Sequence, residues 1–233
     1  MDSIVRVRSI FSEAKIREQI EWVNYWLDNS SNDKRILLIG DSTSRMVRST
    51  LEKVVDMPVD FIGSSSHMLD EFLLRQIEFF FEMSPYSYEM IHIQIGGHGI
   101  ESMPMNIDIQ AFYEDYKEQY RFVLRYLKSK GKIVIVGTTT QIVLYNNDRN
   151  PILKKIYNHL HSAKSEVPDS KYEAGIVRRN QIVKELAIEE NVACNDLYNH
   201  LLAETCNMRH VDHVHYEKKS KKYIARKIAG YLK

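Results

Sequence analysis

Cysteine is nearly absent from this chain, and at Cys194 and Cys206, where it occurs, no CxxC spacing accompanies it. That leaves no pattern for a zinc ribbon or a redox motif, and two free thiols in a reducing cytoplasm are the expected state. No stretch approaches the ~18 apolar residues of a membrane span. Met1 to Ser12 carries Arg6 and Arg8 but neither a continuous apolar run nor a small-residue cleavage pattern, so it does not read as a secretion signal. A soluble cytoplasmic protein is expected. Charge of one sign is lacking too: 32 Lys and Arg against 31 Asp and Glu leave a formal +1. No bulk field therefore recruits nucleic acid or an anionic membrane, and a small or locally recognised substrate fits better. Lys218, Lys219, Lys221 and Lys222 read as the solvated start of a helix. Neither GxGxxG nor GxxxxGK[ST] follows a strand, which argues against a nucleotide cradle, and there is no internal repeat or low-complexity tract.

What is present is enough apolar material for one core: 233 residues with 44% hydrophobic content predict a single domain over 1–233. Ile16, Ile20, Val23 and Trp26 recur at near-helical spacing before the polar break at 28–33, which predicts an N-terminal helical extension over 1–33 packed on the domain. Arg35 to Gly40 is a short apolar run ending in glycine, the pattern of a strand buried on both faces. Similar runs follow at Val59 to Ile62, Met90 to Ile95, Lys132 to Gly137 and Asn191 to Asn195. Helical segments separate or follow them at Ser44 to Val55, Leu69 to Phe81, Asp108 to Lys130, Ile176 to Glu190 and Lys218 to Leu232. This alternation predicts an α/β fold: a three-layer α/β/α sandwich with a mostly parallel, five-stranded, flavodoxin-like doubly wound sheet. Tyr145 to Lys171 is less regular and is expected to be a mobile lid or insertion. Ligands bind such sheets at the carboxyl ends of the strands.

Chemistry-bearing residues stand at those ends. Gly40-Asp41-Ser42 follows the first strand, where a helix N-terminus offers N–H groups to an oxyanion; the alternative is that Asp41 or Ser42 only caps the helix. Gly63 with Ser64 to Ser66 follows the second strand and could give a backbone donor, or be a plain turn. Gly96-Gly97-His98-Gly99 follows the third: the glycines let backbone approach a substrate, and His98 could donate an N–H to an oxyanion or be a core histidine. Thr138-Thr139-Thr140 ends the fourth strand and could line a pocket or finish the β pattern. Asp212-His213-Val214-His215 precedes the last helix and could supply a base with its orienting carboxylate. His210, His213, His215 and Asp212 could instead suggest a metal, but two-residue spacing without further ligands argues for none, and no cofactor is expected.

Taken together these blocks resemble the GDSL or SGNH hydrolases from Arg35 to Leu232. Gly40-Asp41-Ser42 is similar to the first block, Gly63 to the second-block glycine, and Asp212 to His215 to the closing DxxH. The likeness is greatest to a bacterial GDSL-like subgroup with histidine-glycine in the third block, threonines after the fourth strand and an Asn-Asp-Leu-Tyr run like Asn195 to Tyr198. The resemblance implies catalytic Ser42, Asp212 and His215, with an oxyanion hole from Ser42, Gly63 and His98. The loops at Asp41, Gly97 and Thr139 are expected to contact substrate. It departs in the third block, where His98 stands at the asparagine position of the wider family's Gly-x-Asn-Asp and the acid is missing. The expected activity is a serine esterase acting on a small acyl, acetyl, ester of a carbohydrate or glycoconjugate, because the pocket loops are rich in Ser, Thr and Gly. An O-acyltransferase using the same triad, and a non-catalytic binding module that keeps the fold, are the alternatives.

Overall fold

In the computed structural model the described residues are 23–69, 71–98, 108–143, 169–204, 210–212 and 214–232. The apolar run after Lys34 becomes β2 (Ile36–Gly40), and every residue in it is buried. Its side chains alternate between faces: Leu37 and Ile39 enter one cluster, Ile36 and Leu38 another. A strand can be apolar on both faces only where helices cover both. Here α2 (Glu71–Met83), α3 (Ile109–Lys128) and α4 (Ser170–Glu189) supply Leu73, Ile77, Phe112, Tyr116, Ile182 and Leu186 to the first cluster. The second takes Val47 and Leu51 from α1 (Ser42–Val55), Leu197 and Leu201 from α5 (Leu197–Ala203), and Ile224 and Ile228 from α6 (Lys218–Ala229).

The sheet has six strands, β1 (Val23–Trp26), β2, β3 (Val59–Ser64), β4 (Tyr88–Gln94), β5 (Gly131–Gly137) and β6 (Ala193–Asn195), ordered β1-β3-β2-β4-β5-β6. All but β1 run parallel. Because β2 lies between β3 and β4, the winding reverses there, and the crevice at such a switch opens over the carboxyl ends of β2 and β4.

Two expectations are corrected. The sheet has a sixth strand, and the residues that form it, Val23–Trp26, lie within the expected N-terminal helical extension. They pair antiparallel with Phe61–Ser64, and Tyr25 packs on Phe79 and Phe80 of α2 with ring centroids 6.2 and 6.0 Å away. The open edge of β3 offers these four residues a ladder of backbone hydrogen bonds, and that outweighs a weak local periodicity. The rest of the expected extension, 1–22, lies outside the described residues, as does most of the expected lid, 145–168. Lys171 and its neighbours from Ser170 on belong to α4, which starts six residues before its expected onset. The short helix α5 had no strong sequence signal.

At the amino ends of the strands a polar cluster is built around a fully buried pair. Arg35 and Asp60 form a two-pronged ion pair, Nε to Oδ2 at 2.9 Å and Nη2 to Oδ1 at 2.8 Å, with both side chains at 0% exposure. Tyr88 donates its hydroxyl to Oδ2 at 3.0 Å and the Asp28 N–H donates to Oδ1 at 2.8 Å. The Asp28 and Ser30 carbonyls accept from Arg35, and the Tyr86 ring lies 3.8 Å from the guanidinium carbon. Asp60 raises the pKa of Arg35, and burial raises that of Tyr88.

Candidate active site

Gly40 ends β2 because nothing larger fits: a Cβ there would lie 2.1 Å from Ser44 Oγ and 2.8 Å from the Gln94 carbonyl. Asp41 then caps α1, its Oδ1 accepting from the Thr43 N–H at 2.9 Å. Ser42 is therefore the first residue of the helix, two positions earlier than expected. Its N–H belongs to the first turn, where helical backbone donors have no partner within the helix.

The other half of the site is a tight loop. His210 and Tyr216 bridge antiparallel, and Val211 donates its N–H to the His215 carbonyl at 2.7 Å. Inside it Asp212 Oδ1 accepts from the N–H groups of Val214 and His215 at 2.9 and 2.8 Å, leaving Oδ2 for His215 Nδ1 at 2.6 Å. His215 Nε2 lies 2.7 Å from Ser42 Oγ. With Nδ1–H donating to the carboxylate, the lone pair of a neutral ring sits on Nε2 and faces the serine hydroxyl. Burial acts to raise the Asp212 pKa, but the His215 imidazole and the two backbone N–H groups outweigh it and hold the carboxyl below its ordinary value. His213 lies outside the described residues.

The third block is built by packing across the sheet. A Cβ on Gly96 would lie 2.0 Å from Thr139 Oγ1, so Thr139 is seated directly on this glycine. Its backbone is tied to α4 by the Asn180 amide, which accepts from the Thr139 N–H at 2.7 Å and donates to its carbonyl at 2.8 Å. Gly97 stands beside Asp41: the place of its Cβ would be 3.1 Å from Asp41 Oδ2. The His98 carbonyl accepts from Arg179 at 2.7 Å. Its imidazole makes no hydrogen bond with the described residues. Gly63 is not in a loop after β3 but inside it, paired with Gly40 on one side and Asn24 on the other, so its N–H lies in the plane of the sheet.

Ser42, Asp212 and His215 are thus brought into one hydrogen-bonded line, and Asp41, Gly97 and Thr139 sit at the same carboxyl edge. The sequence reading missed Arg179 and Asn180. The only signal was two polar residues following an arginine in a helix, which looks like a solvated face until the packing is known. Among the described residues no three His, Cys, Asp or Glu side chains gather to hold a metal, and no helix is long and apolar enough to cross a membrane. Cys194 is a free thiol that burial pushes up to about 11; Cys206 lies outside the described residues.

No family model and no curated protein matches the chain. Solved structures do match. An acetyl xylan esterase, AlAXEase, is similar over 85% of this chain and 100% of its own, at 14% identity and a TM-score of 0.59. A member of the lipolytic G-D-S-L family from Veillonella parvula matches over 84% and 97%, at 17% identity and 0.58. A lipase/acylhydrolase from Enterococcus faecalis matches over 85% and 95%, at 16% identity and 0.55. The three-layer sandwich, its mostly parallel sheet and these likenesses together give the chain the fold of the SGNH, or GDSL-type, hydrolases.

Proposed function

We propose that the protein is a serine esterase that removes a small acyl group, acetyl, from a carbohydrate or glycoconjugate. The observation that carries this reading is the continuous line from Asp212 Oδ2 through His215 to Ser42 Oγ, at 2.6 and 2.7 Å. A serine hydroxyl is a weak nucleophile, and a base within this distance, itself oriented by a carboxylate, is what activates it.

As Ser42 Oγ attacks the ester carbonyl, His215 Nε2 takes its proton and the carbonyl oxygen becomes an oxyanion. The oxyanion is held by the Ser42 N–H at the start of α1 and by the third block. His215 then gives the proton to the leaving alcohol as the tetrahedral species collapses to acyl-Ser42. Water attacks the acyl carbonyl as it gives a proton to His215, and on collapse His215 returns that proton to Ser42 Oγ, which releases the carboxylic acid and restores the serine hydroxyl. Asp212 stabilises the imidazolium through both proton transfers.

The preference for a small acyl group rests on polar loops at Asp41, Gly97 and Thr139 and on the acetyl xylan esterase among the structural neighbours. Hydrolysis of p-nitrophenyl acetate by the wild type, lost in Ser42→Ala, tests the chemistry. A panel of acetylated oligosaccharides read by mass spectrometry tests the substrate: loss of acetyl mass from none of them, with p-nitrophenyl acetate still cleaved, would remove the carbohydrate.

A further inference from the structure

Arg179 stands on α4, in the helical layer opposite Ser42, and is 1% exposed. Burying a guanidinium is costly unless its donors are used, so its contacts indicate what it is held for. None of the described residues supplies a carboxylate to it. Its guanidinium carbon lies 5.3 Å from the Tyr116 ring and 5.5 Å from that of Phe112. Its Nη1 donates to two carbonyls, Gly96 at 2.9 Å and His98 at 2.7 Å. Burial draws the pKa of Arg179 below its ordinary value, against the opposing pull of Tyr116 and Tyr113. One buried nitrogen therefore holds the Gly96 and His98 carbonyls, which flank the Gly97–His98 peptide, and fixes the Gly96–Gly97 peptide plane that carries the Gly97 N–H.

The carbonyl and the N–H of a planar trans peptide point in opposite directions. Because the Gly96 carbonyl is turned toward Arg179, the Gly97 N–H is turned away from α4, toward the layer of α1. Asp41 stands there, with Oδ2 3.1 Å from the place of a Gly97 Cβ, and the next residue is Ser42. The same segment is fixed from below by Thr139, seated on Gly96 and tied to α4 through Asn180.

We propose, resting on the reading of Ser42 as nucleophile, that Arg179 is the positioning residue of this site. By holding the Gly96 and His98 carbonyls it aims the Gly97 N–H at the oxyanion formed on Ser42, and this backbone donor, not the His98 imidazole, is the third-block contribution. A lysine is a poor substitute, since its flexible ammonium lacks the planar guanidinium that packs by the Phe112 and Tyr116 rings and is thereby held with Nη1 facing both carbonyls.

The test uses the full chain with Arg179→Lys, Arg179→Met and, as a control on the same helix, Ile182→Ala. For each, kcat and KM on p-nitrophenyl acetate are measured with melting temperature and the affinity of phenylboronic acid, which forms a tetrahedral adduct on an active serine. Both Arg179 variants are expected to lose roughly 10- to 100-fold in kcat while KM stays within about threefold, because the donor is displaced rather than the binding surface. Boronate affinity falls by the same factor. The acid limb of the kcat/KM profile stays in place, since His215 and Asp212 are untouched. Ile182→Ala lowers the melting temperature and leaves kcat and boronate affinity unchanged. An Arg179 variant that folds and keeps both overturns the proposal, as does an equal loss in Ile182→Ala. If Arg179→Met does not fold, Arg179→Lys decides. A wild type that neither cleaves the ester nor takes a fluorophosphonate label at Ser42 overturns the esterase reading and this proposal with it. An active, labelled wild type with unaltered Arg179 variants overturns this proposal alone.

Discussion

The two ends of the sheet treat charge in opposite ways. At the amino edge both Arg35 and Asp60 are 0% exposed and each Asp60 oxygen accepts two hydrogen bonds. At the carboxyl edge the Asp212 and His215 side chains are 43% and 26% exposed, and Ser42, which His215 faces, is half-buried. A buried pair with its donors and acceptors used has no capacity left for a ligand, and it serves to hold β1, β2, β3 and β4 together. A half-exposed line of three groups contributes little to stability but keeps a hydroxyl and a base where a substrate can reach them. The difference teaches where to expect loss of folding and where loss of turnover.

The largest contrast is expected from Ser42→Ala. Turnover of an activated ester falls by ~10⁴-fold or more, while stability changes by less than about 1 kcal/mol, because a half-exposed hydroxyl at a helix start contributes little to folding. Steady-state kinetics beside a urea melt reads both, and retained turnover would remove Ser42 from the mechanism. Asp60→Ala should do the reverse. It strands the Arg35 guanidinium in the interior and costs about 3–5 kcal/mol, a fall in melting temperature on the order of 10 °C. Its kcat below the melting range should match wild type; a selective loss of kcat would mean that the two ends are coupled.

A third way to sharpen the comparison uses His92, which lies between them on β4. It is fully buried beside Asn195, Nε2 3.3 Å from the amide nitrogen, in room left by Gly137, and burial pushes its pKa down to about 4. The folded chain keeps this ring neutral while the unfolded chain protonates it near 6.5, so its contribution is complete above about pH 6.5 and is lost as pH falls toward 4. At 1.36 kcal/mol per pKa unit the loss is roughly 3 kcal/mol. Urea melts at pH 7 and pH 4 should show a smaller drop in His92→Gln than in wild type; equal drops would exclude His92 as the sensor.

The smallest effect is expected at His98. With the Gly97 N–H as donor, His98→Ala should keep kcat within about threefold of wild type. A stably folded variant that loses ~10² or more would transfer the donation to the imidazole.

The sequence by itself determined the parallel sheet and which of the residues named here stand at its carboxyl edge. Runs such as Ile36–Ile39 are apolar on both faces, and only a strand covered on both sides satisfies them. Gly40-Asp41-Ser42 and Asp212 to His215 were legible because glycine, capping acid and DxxH loop are local devices whose neighbours in space are neighbours in the chain. Tertiary structure decided what depends on distant partners. Val23–Trp26 became a strand because β3 offered an open edge, and Gly63 was drawn into the ladders on either side of it. Arg179 and Asn180, which in sequence look like one polar face of a helix, became the buried clamp of the third block, since only packing of α4 across β5 brings them to Gly96, His98 and Thr139. Local pattern fixes what each segment can bury, whereas the partners of a buried polar group are set by which segments the fold brings together.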